Sequence, residues 1–243
     1  WDDLSKLTRL LNHMLEELEE RVDGIESVTD NIAHDLRTPL TRMRNQLVQL
    51  RDQVSPEDAV ALESIIAECD DVLATFNALL RISSLESGGH YSGAGRVPLQ
   101  ELLADVVELY EPLAAERGID LSFDCPAVAE VPGDRDLLFQ LFANLVDNAL
   151  KYTPAGGHAT IRLAAPEAGY RRVEVGDSGP GIPVAERSNV LRRFYRLEFS
   201  RGREPGHGLG LSLVQAIVHY HRGRLTLADN QPGLRVTVDL PEG

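Results

Sequence analysis

Residues Asp134 to Tyr152 read DRDLLFQLFANLVDNALKY, and the way this stretch divides its side chains decides the fold. Asp134 has the short acceptor side chain that caps the first free N–H groups of a helix. On a 3.6-residue period Leu138, Phe142, Leu145, Val146 and Ala149 gather on one face, which predicts a buried stripe. Asn144, Asn148 and Lys151 fall on the opposite face. By itself that spacing describes an ordinary solvated face. An asparagine oxygen can also complete the shell of Mg2+, which takes one or two protein ligands beside substrate phosphates. A lysine can meet a phosphate as a point charge.

Outward from this helix the chain alternates helix and strand patterns. Pro98–Arg117 reads as a helix, Asp120–Asp124 as a strand, and Ala159–Leu163 with Arg171–Val175 as a strand hairpin. A helix from Leu209 to Tyr220 leads to strands near Leu225–Ala228 and Leu234–Leu240. A mainly antiparallel sheet covered on one face by helices fits this order.

Two glycine segments interrupt the pattern. Asp177-Ser178-Gly179-Pro180-Gly181-Ile182-Pro183 follows a strand and, alone, is a turn carrying an acid. Gly206-His207-Gly208-Leu209-Gly210-Leu211 opens a helix, where backbone N–H groups can reach a phosphate closely. Its spacing is neither GxGxxG nor GxxxxGK[ST], so the dinucleotide and P-loop readings both fail. Between the two lie Arg187, Arg192, Arg193, Arg196, Arg201 and Arg203, the basic cluster of an acidic chain. It either meets an anionic ligand or solvates a loop.

The front of the chain is helical throughout. Apolar residues recur every three or four positions from Leu4 to Leu50, which predicts a long helix with a coiled-coil seam. Consecutive fours mark stutters, and Gly24 sits beside the first of them. Ser55-Pro56-Glu57-Asp58 starts a second helix, with Leu62, Ile65, Cys69, Val72, Phe76, Leu79 and Ser83 as its stripe. One helical hairpin buries two such stripes poorly, so pairing with a second copy into a four-helix bundle is expected. Cys69 reads as a core residue. His34 points away from Ile32 and Leu36, beside Asp35 and one turn before Thr38, and Pro39 should kink the helix just past it.

Composition bounds what such a chain can do. It has 243 residues, 24 Lys+Arg against 38 Asp+Glu, and a formal charge of −14. That length suits two modest domains, and 43% hydrophobic residues supply a proper core. The acid excess argues against nucleic acid as a partner. Two cysteines exclude a disulfide scaffold and a four-cysteine zinc site. No apolar run reaches the roughly 18 residues of a transmembrane helix. The opening Trp1 suggests a fragment of something longer. Residues 1–95 hold 18 acids and 8 bases, residues 96–243 hold 20 and 16, and four glycines between Ser87 and Gly95 read as a flexible hinge near residue 90.

Taken together, five segments resemble the boxes of a sensor histidine kinase, in that family's order. His34-Asp35-Leu36-Arg37-Thr38-Pro39-Leu40 resembles the phosphoacceptor box, and Asn144 to Tyr152 the asparagine box. Asp177–Pro183 resembles the first glycine box, Phe194-Tyr195-Arg196 the phenylalanine box, and Gly206–Leu211 the second glycine box. Leu191 stands where the family often has phenylalanine. Trp1–Glu20 looks like the last helix of a HAMP signal-relay module.

The resemblance implies three parts: the end of a HAMP or signalling helix in 1–22, a dimerisation and histidine-phosphotransfer hairpin in 23–90, and a catalytic ATP-binding domain in 91–243. The fold class is then α plus α/β, a dimeric hairpin followed by an α/β-sandwich of the Bergerat type. His34 would be the nucleophile and Asp35 would orient its ring or take its proton. Asn148 would hold Mg2+, with Asn144 assisting at the phosphates. Lys151, Tyr152 and Arg196 with its neighbouring arginines would steady the triphosphate of ATP. Asp177 would accept from the adenine amino group, with Gly179 and Gly181 admitting the base. Gly206, Gly208, Gly210 and Leu211 would wrap the phosphates beneath a mobile lid from about Arg187 to Pro205. Thr38 matches the family position that places water for dephosphorylating the regulator.

The implied partners are a second copy and a response regulator, in the cytoplasmic part of a membrane-anchored bacterial receptor. Two rival readings are a Bergerat ATPase of the gyrase, chaperone or mismatch-repair kind, and a non-catalytic ATP-binding dimer that relays signals. The first lacks a histidine box ahead of the ATP domain; the second would show a damaged box.

Overall fold

The computed structural model describes residues 38–242, apart from 52, 89, 92, 94, 127, 165–168 and 198–206. His34, Asp35, Gly206 and the seam around Gly24 lie outside the described residues. The chain divides into two compact units between Ser87 and Gly88.

In the first unit helix α1 covers residues 38–51 and α2 covers Pro56–Ser87. Ser55 starts α2 as a cap: its hydroxyl accepts from Asp58 N–H at 3.3 Å and donates to the Asp58 carboxylate at 2.7 Å. The Arg44 guanidinium grips both oxygens of Asp70, Nη2 at 3.1 Å, a two-point pairing that ties α1 to α2. Along α2 the buried apolar residues are Ile66, Cys69, Ile82 and Leu85. Ile65 and Val72, assigned to the buried stripe from spacing, are exposed, as are Met43, Leu50 and Val60. The apolar residues of α2 therefore serve two faces, and only one is buried within a single chain.

In the second unit a short ribbon pairs β1 (Arg96–Pro98) with β3 (Glu130–Pro132). The main sheet holds β2 (Asp120–Asp124), β4 (His158–Leu163), β5 (Tyr170–Asp177), β6 (Arg224–Asp229) and β7 (Leu234–Pro241) in the order β2-β4-β5-β7-β6. Among the described residues only the β2–β4 pair is parallel. Helices α3 (Leu99–Glu116), α4 (Arg135–Tyr152) and α5 (Gly210–Tyr220) form a layer, with α4 in contact with both neighbours and with β4 and β5. Asp134 caps α4, its carboxylate accepting from Asp136 N–H and Leu137 N–H at 2.9 and 3.0 Å. Leu138, Phe142, Leu145, Val146 and Ala149 are all buried, as are Ile161, Val173 and Val175 on β4 and β5, the strands that α4 contacts. Burying one such side chain contributes roughly 1.5–3 kcal/mol, so α4 is the main anchor of the helical layer.

Within the glycine-rich segment after α2, Tyr91, Gly93 and Gly95 make close contacts in the second unit. Tyr91 N–H donates to the Tyr220 carbonyl at 2.7 Å, and its ring stacks on His221 with centroids 5.6 Å apart. Gly95 N–H returns to the Tyr91 hydroxyl at 3.1 Å. A Cβ at Gly93 or Gly95 would come within 2.6 or 2.9 Å of that hydroxyl, so these glycines let the backbone wrap the ring. Here glycine signals close packing rather than freedom.

His221, at the end of α5, is 3% exposed and joins two helices. Its Nδ1 lies 2.8 Å from the Ile217 carbonyl and its Nε2 accepts from Asp134 N–H at 3.0 Å. This arrangement needs the neutral ring with its proton on Nδ1. Burial holds His221 below its ordinary value of 6.5, against opposing pulls from the Ile217 carbonyl and Asp134. The folded state thus binds this proton less readily than the unfolded chain. The contribution is complete above the unfolded value and is lost as pH falls from there through the folded one. In chemical denaturation of the chain and of His221→Gln, the wild-type advantage should shrink from about pH 8 to about pH 5. An advantage independent of pH would remove His221 from the coupling between α5 and the α4 cap.

Candidate functional site

The polar face of α4 runs beside the glycine segments. Asn144 and Asn148 face Gly210, the first residue of α5: a Cβ built there would lie 3.4 Å from Asn148 Nδ2 and 3.7 Å from Asn144 Oδ1. Asn144 Nδ2 donates to the Gln140 carbonyl at 2.8 Å, which fixes its rotamer. Asn148 Nδ2 is buried without a partner among the described residues. Leaving such a group unmade costs about 1–3 kcal/mol, so it belongs to a site completed by something polar. A carboxamide also offers the hard oxygen that Mg2+ requires, so Asn148 fits that ion. Among the described residues no group of three or more His, Cys, Asp or Glu could hold a metal.

At the end of α4, Lys151 Nζ lies 5.6 Å from the Tyr152 ring centroid. The Tyr152 carbonyl abuts Gly179, where an added Cβ would fall 2.6 Å from that oxygen. Gly181 has φ +70°, and a Cβ there would meet the Gly233 carbonyl at 2.8 Å. Both positions therefore require glycine, the second for its backbone conformation as well.

Asp177 is 7% exposed at the end of β5. One carboxylate oxygen, Oδ1, accepts from Gly179 N–H at 2.8 Å and from Leu234 N–H at 3.2 Å. Burial pushes its carboxyl upward, opposed by those two N–H groups and by His158. Both of these bonds fall on Oδ1, and neither uses Oδ2.

The phenylalanine box packs on the second glycine segment. Phe194 N–H donates to the Gly208 carbonyl at 2.9 Å, and Phe194 has φ +62°. Gly208 has φ +70°, and a Cβ there would meet the Tyr195 carbonyl at 2.7 Å and Arg196 Cγ at 3.1 Å. Arg196 therefore sits beside Gly208. The Tyr195 hydroxyl and Asn189 both donate to Glu186, and these bonds hold its carboxyl below the usual range. Leu211 is half-buried in the first turn of α5.

Arg187, grouped in the sequence with the basic cluster, is committed elsewhere. Its Nη2 pairs with Asp229 at 2.5 Å and its Nε donates to the Ile182 carbonyl at 3.2 Å. It braces the loop rather than facing an anion. Thr38 is exposed on α1, in the other unit. Sequence reasoning missed Asn230, Gly233 and Leu234, which touch Asp177 from a turn more than fifty positions along the chain. No local pattern signals them.

Known families match both units. Residues 25–88 match the His Kinase A (phospho-acceptor) domain, and residues 133–243 match the histidine kinase-, DNA gyrase B- and HSP90-like ATPase. The solved structure of the mycobacterial sensor histidine kinase MprB is 31% identical, with a TM-score of 0.53, over 60% of this chain and 96% of that one. The chain belongs to the sensor histidine kinases. A phosphoacceptor domain ahead of the ATPase domain sets aside the gyrase-type and chaperone-type alternatives. Another histidine kinase relative is the signal transduction histidine-protein kinase/phosphatase MprB of Mycobacterium bovis, 34% identical over 242 residues. That alignment covers 96% of this chain and 46% of the relative, so the chain spans about half the length of the curated relatives it matches. ShkA, solved full-length in complex with AMPPNP, shares the fold with a TM-score of 0.76 at 24% identity, over 88% of this chain and 45% of that one.

Proposed function

We propose that the chain is the catalytic portion of a two-component receptor: it phosphorylates itself on His34 from ATP, passes the phosphoryl group to an aspartate of a response regulator, and removes it again. The observation that carries this reading is the convergence of the asparagine face of α4 with the Gly210 helix start and the Asp177 loop. That grouping offers a base-reading acid at one end and N–H donors for phosphates at the other.

Asp177 Oδ2 accepts from the adenine amino group, with Gly179 and Gly181 keeping side chains out of the base plane. Lys151, Tyr152 and Arg196 line the phosphates, and Gly206, Gly208, Gly210 and Leu211 present backbone N–H groups to them. Asn148 would hold Mg2+, with Asn144 assisting at the phosphates; when bound, that ion would neutralise phosphate charge. One ring nitrogen of His34 attacks the γ-phosphorus as the bond to the β–γ bridging oxygen breaks, leaving ADP. Asp35 orients the ring and accepts the proton on its other nitrogen. The phosphoryl group then moves from His34 to a carboxylate of the regulator.

The exposed apolar residues Met43, Leu50, Val60, Ile65 and Val72 favour a homodimer through the hairpin. We read 1–22 as the end of a HAMP-type helix, 23–90 as the phosphotransfer hairpin and 91–243 as the ATP domain of a membrane-anchored receptor facing the cytoplasm. Among the described residues no helix is long and apolar enough to cross a membrane.

Incubating the chain with γ-labelled ATP and Mg2+ should give acid-labile label that His34→Gln abolishes. Label persisting in that variant would overturn the assignment of His34; no label in the wild type, with ATP still bound, would favour a non-catalytic relay. Thr38→Ala should slow loss of phosphate from a phosphorylated regulator at least several-fold while leaving autophosphorylation intact. An unchanged rate would remove Thr38 from the phosphatase step.

A further inference from the structure

The turn between β6 and β7, residues 229–234, meets the Asp177 loop at several points that local sequence does not announce. Asn230 Nδ2 donates to the Asp177 main-chain carbonyl at 2.8 Å. Its Oδ1 accepts from Arg235 at 3.1 Å through Nη2 and at 3.4 Å through Nε. A guanidinium only donates, so Arg235 fixes which end of the carboxamide is oxygen and turns the NH2 toward Asp177. Asn230 N–H closes the turn onto the Gly233 carbonyl at 3.0 Å. At Gly233, φ +108°, a Cβ would overlap the Asp177 carbonyl, so the backbone passes where only glycine fits. The next residue, Leu234, supplies the N–H that holds Asp177 Oδ1. Asp229 holds Arg187, which binds the Ile182 carbonyl on the far side of the same loop.

We propose that Asn230 is a positioning residue that sets base selectivity through Asp177. This rests on the reading that Asp177 accepts from the adenine amino group. The turn grips Asp177 by its main chain, through Asn230, and by its side chain, through Leu234. Together these fix both position and torsion of the carboxylate, and so where Oδ2 points. Guanine carries a carbonyl where adenine carries its amino group, so a well-placed acceptor binds ATP and repels GTP. If the grip loosens, the acceptor moves, and discrimination falls while phosphate contacts stay.

The test is equilibrium binding of ATP and of GTP, each with Mg2+, to the full chain and to its variants. Asn230→Ala removes the bond to Asp177 and the pairing with Arg235; Asn230→Asp keeps the size and the Arg235 pairing but sets oxygen against the Asp177 carbonyl. In either variant the preference for ATP over GTP should fall by about 3–10-fold, the worth of one hydrogen bond, chiefly by weaker ATP binding. A general loss of structure would weaken both nucleotides together and leave the ratio unmoved, and that result overturns the proposal. If Asn230→Ala does not fold, Asn230→Asp decides. Asp177→Asn, run in parallel, should abolish the preference, and adding Asn230→Ala to it should change the ratio no further. Asp177→Asn retaining the wild-type ratio would overturn the reading of Asp177 itself. Loss of preference in Asp177→Asn with none in the Asn230 variants would overturn only the role of Asn230.

Discussion

A carboxylate taken out of water has to be met by hydrogen-bond donors, and Asp177 imposes that demand on the nucleotide face of the second unit. Burial raises its proton affinity, and two backbone N–H groups, from Gly179 and Leu234, oppose that rise. Bringing those donors to one oxygen forces the chain to turn tightly on both sides. The turn after β5 needs Gly179 and Gly181, and the turn before β7 needs Gly233. The second oxygen is spared, and a spared acceptor in a closed site is a means of recognition. Gly179 and Gly233 thus answer to Asp177, whose backbone and carboxylate they approach too closely for any side chain.

Helix α4 gives this arrangement a fixed frame. Its apolar face is sunk between α3, α5 and the sheet, so its polar face cannot drift. The unmet Asn148 amide and the Tyr152 carbonyl against Gly179 lie on that one helix, and the start of α5 at Gly210 faces it. The far ends of α4 and α5 are pinned by His221, which accepts from the residue capping α4. Charge is distributed to match. Many arginines of the sheet are neutralised locally, Arg172 by Asp239, Arg162 by Asp124 and Arg171 by Glu242. Arg187 is likewise paired with Asp229, so it braces its loop instead of adding to the basic cluster that the sequence count suggests.

What the sequence revealed follows from the range of the forces involved. The cap at Asp134, the buried stripe of α4 and the strands of the main sheet are legible because helical and strand periodicities act within a few residues. The β1–β3 ribbon escapes because three-residue strands have no period to read. The close approach of Gly93 and Gly95 to the Tyr91 ring escapes too, because glycine marks flexible chain and tight packing alike. The apolar residues of α2 look like one stripe because spacing does not separate a face buried in the chain from one left for a second copy. Asn230 is illegible for another reason: Asn-Gln-Pro-Gly reads as an ordinary turn, and its partner lies on another strand. The nucleotide chemistry itself was legible only through the joint order of five segments, since each alone has a bland reading.

In the proposed function the oxygen spared on Asp177 accepts from the amino group of adenine. Calorimetric titration of the unaltered chain with ATP and with inosine triphosphate, each with Mg2+, tests it most directly. The two share every phosphate contact and differ where inosine puts a carbonyl in place of that amino group. The structure predicts that inosine triphosphate binds at least about tenfold more weakly, the cost of losing one charge-assisted bond and facing two acceptors together. Equal affinities would contradict the account.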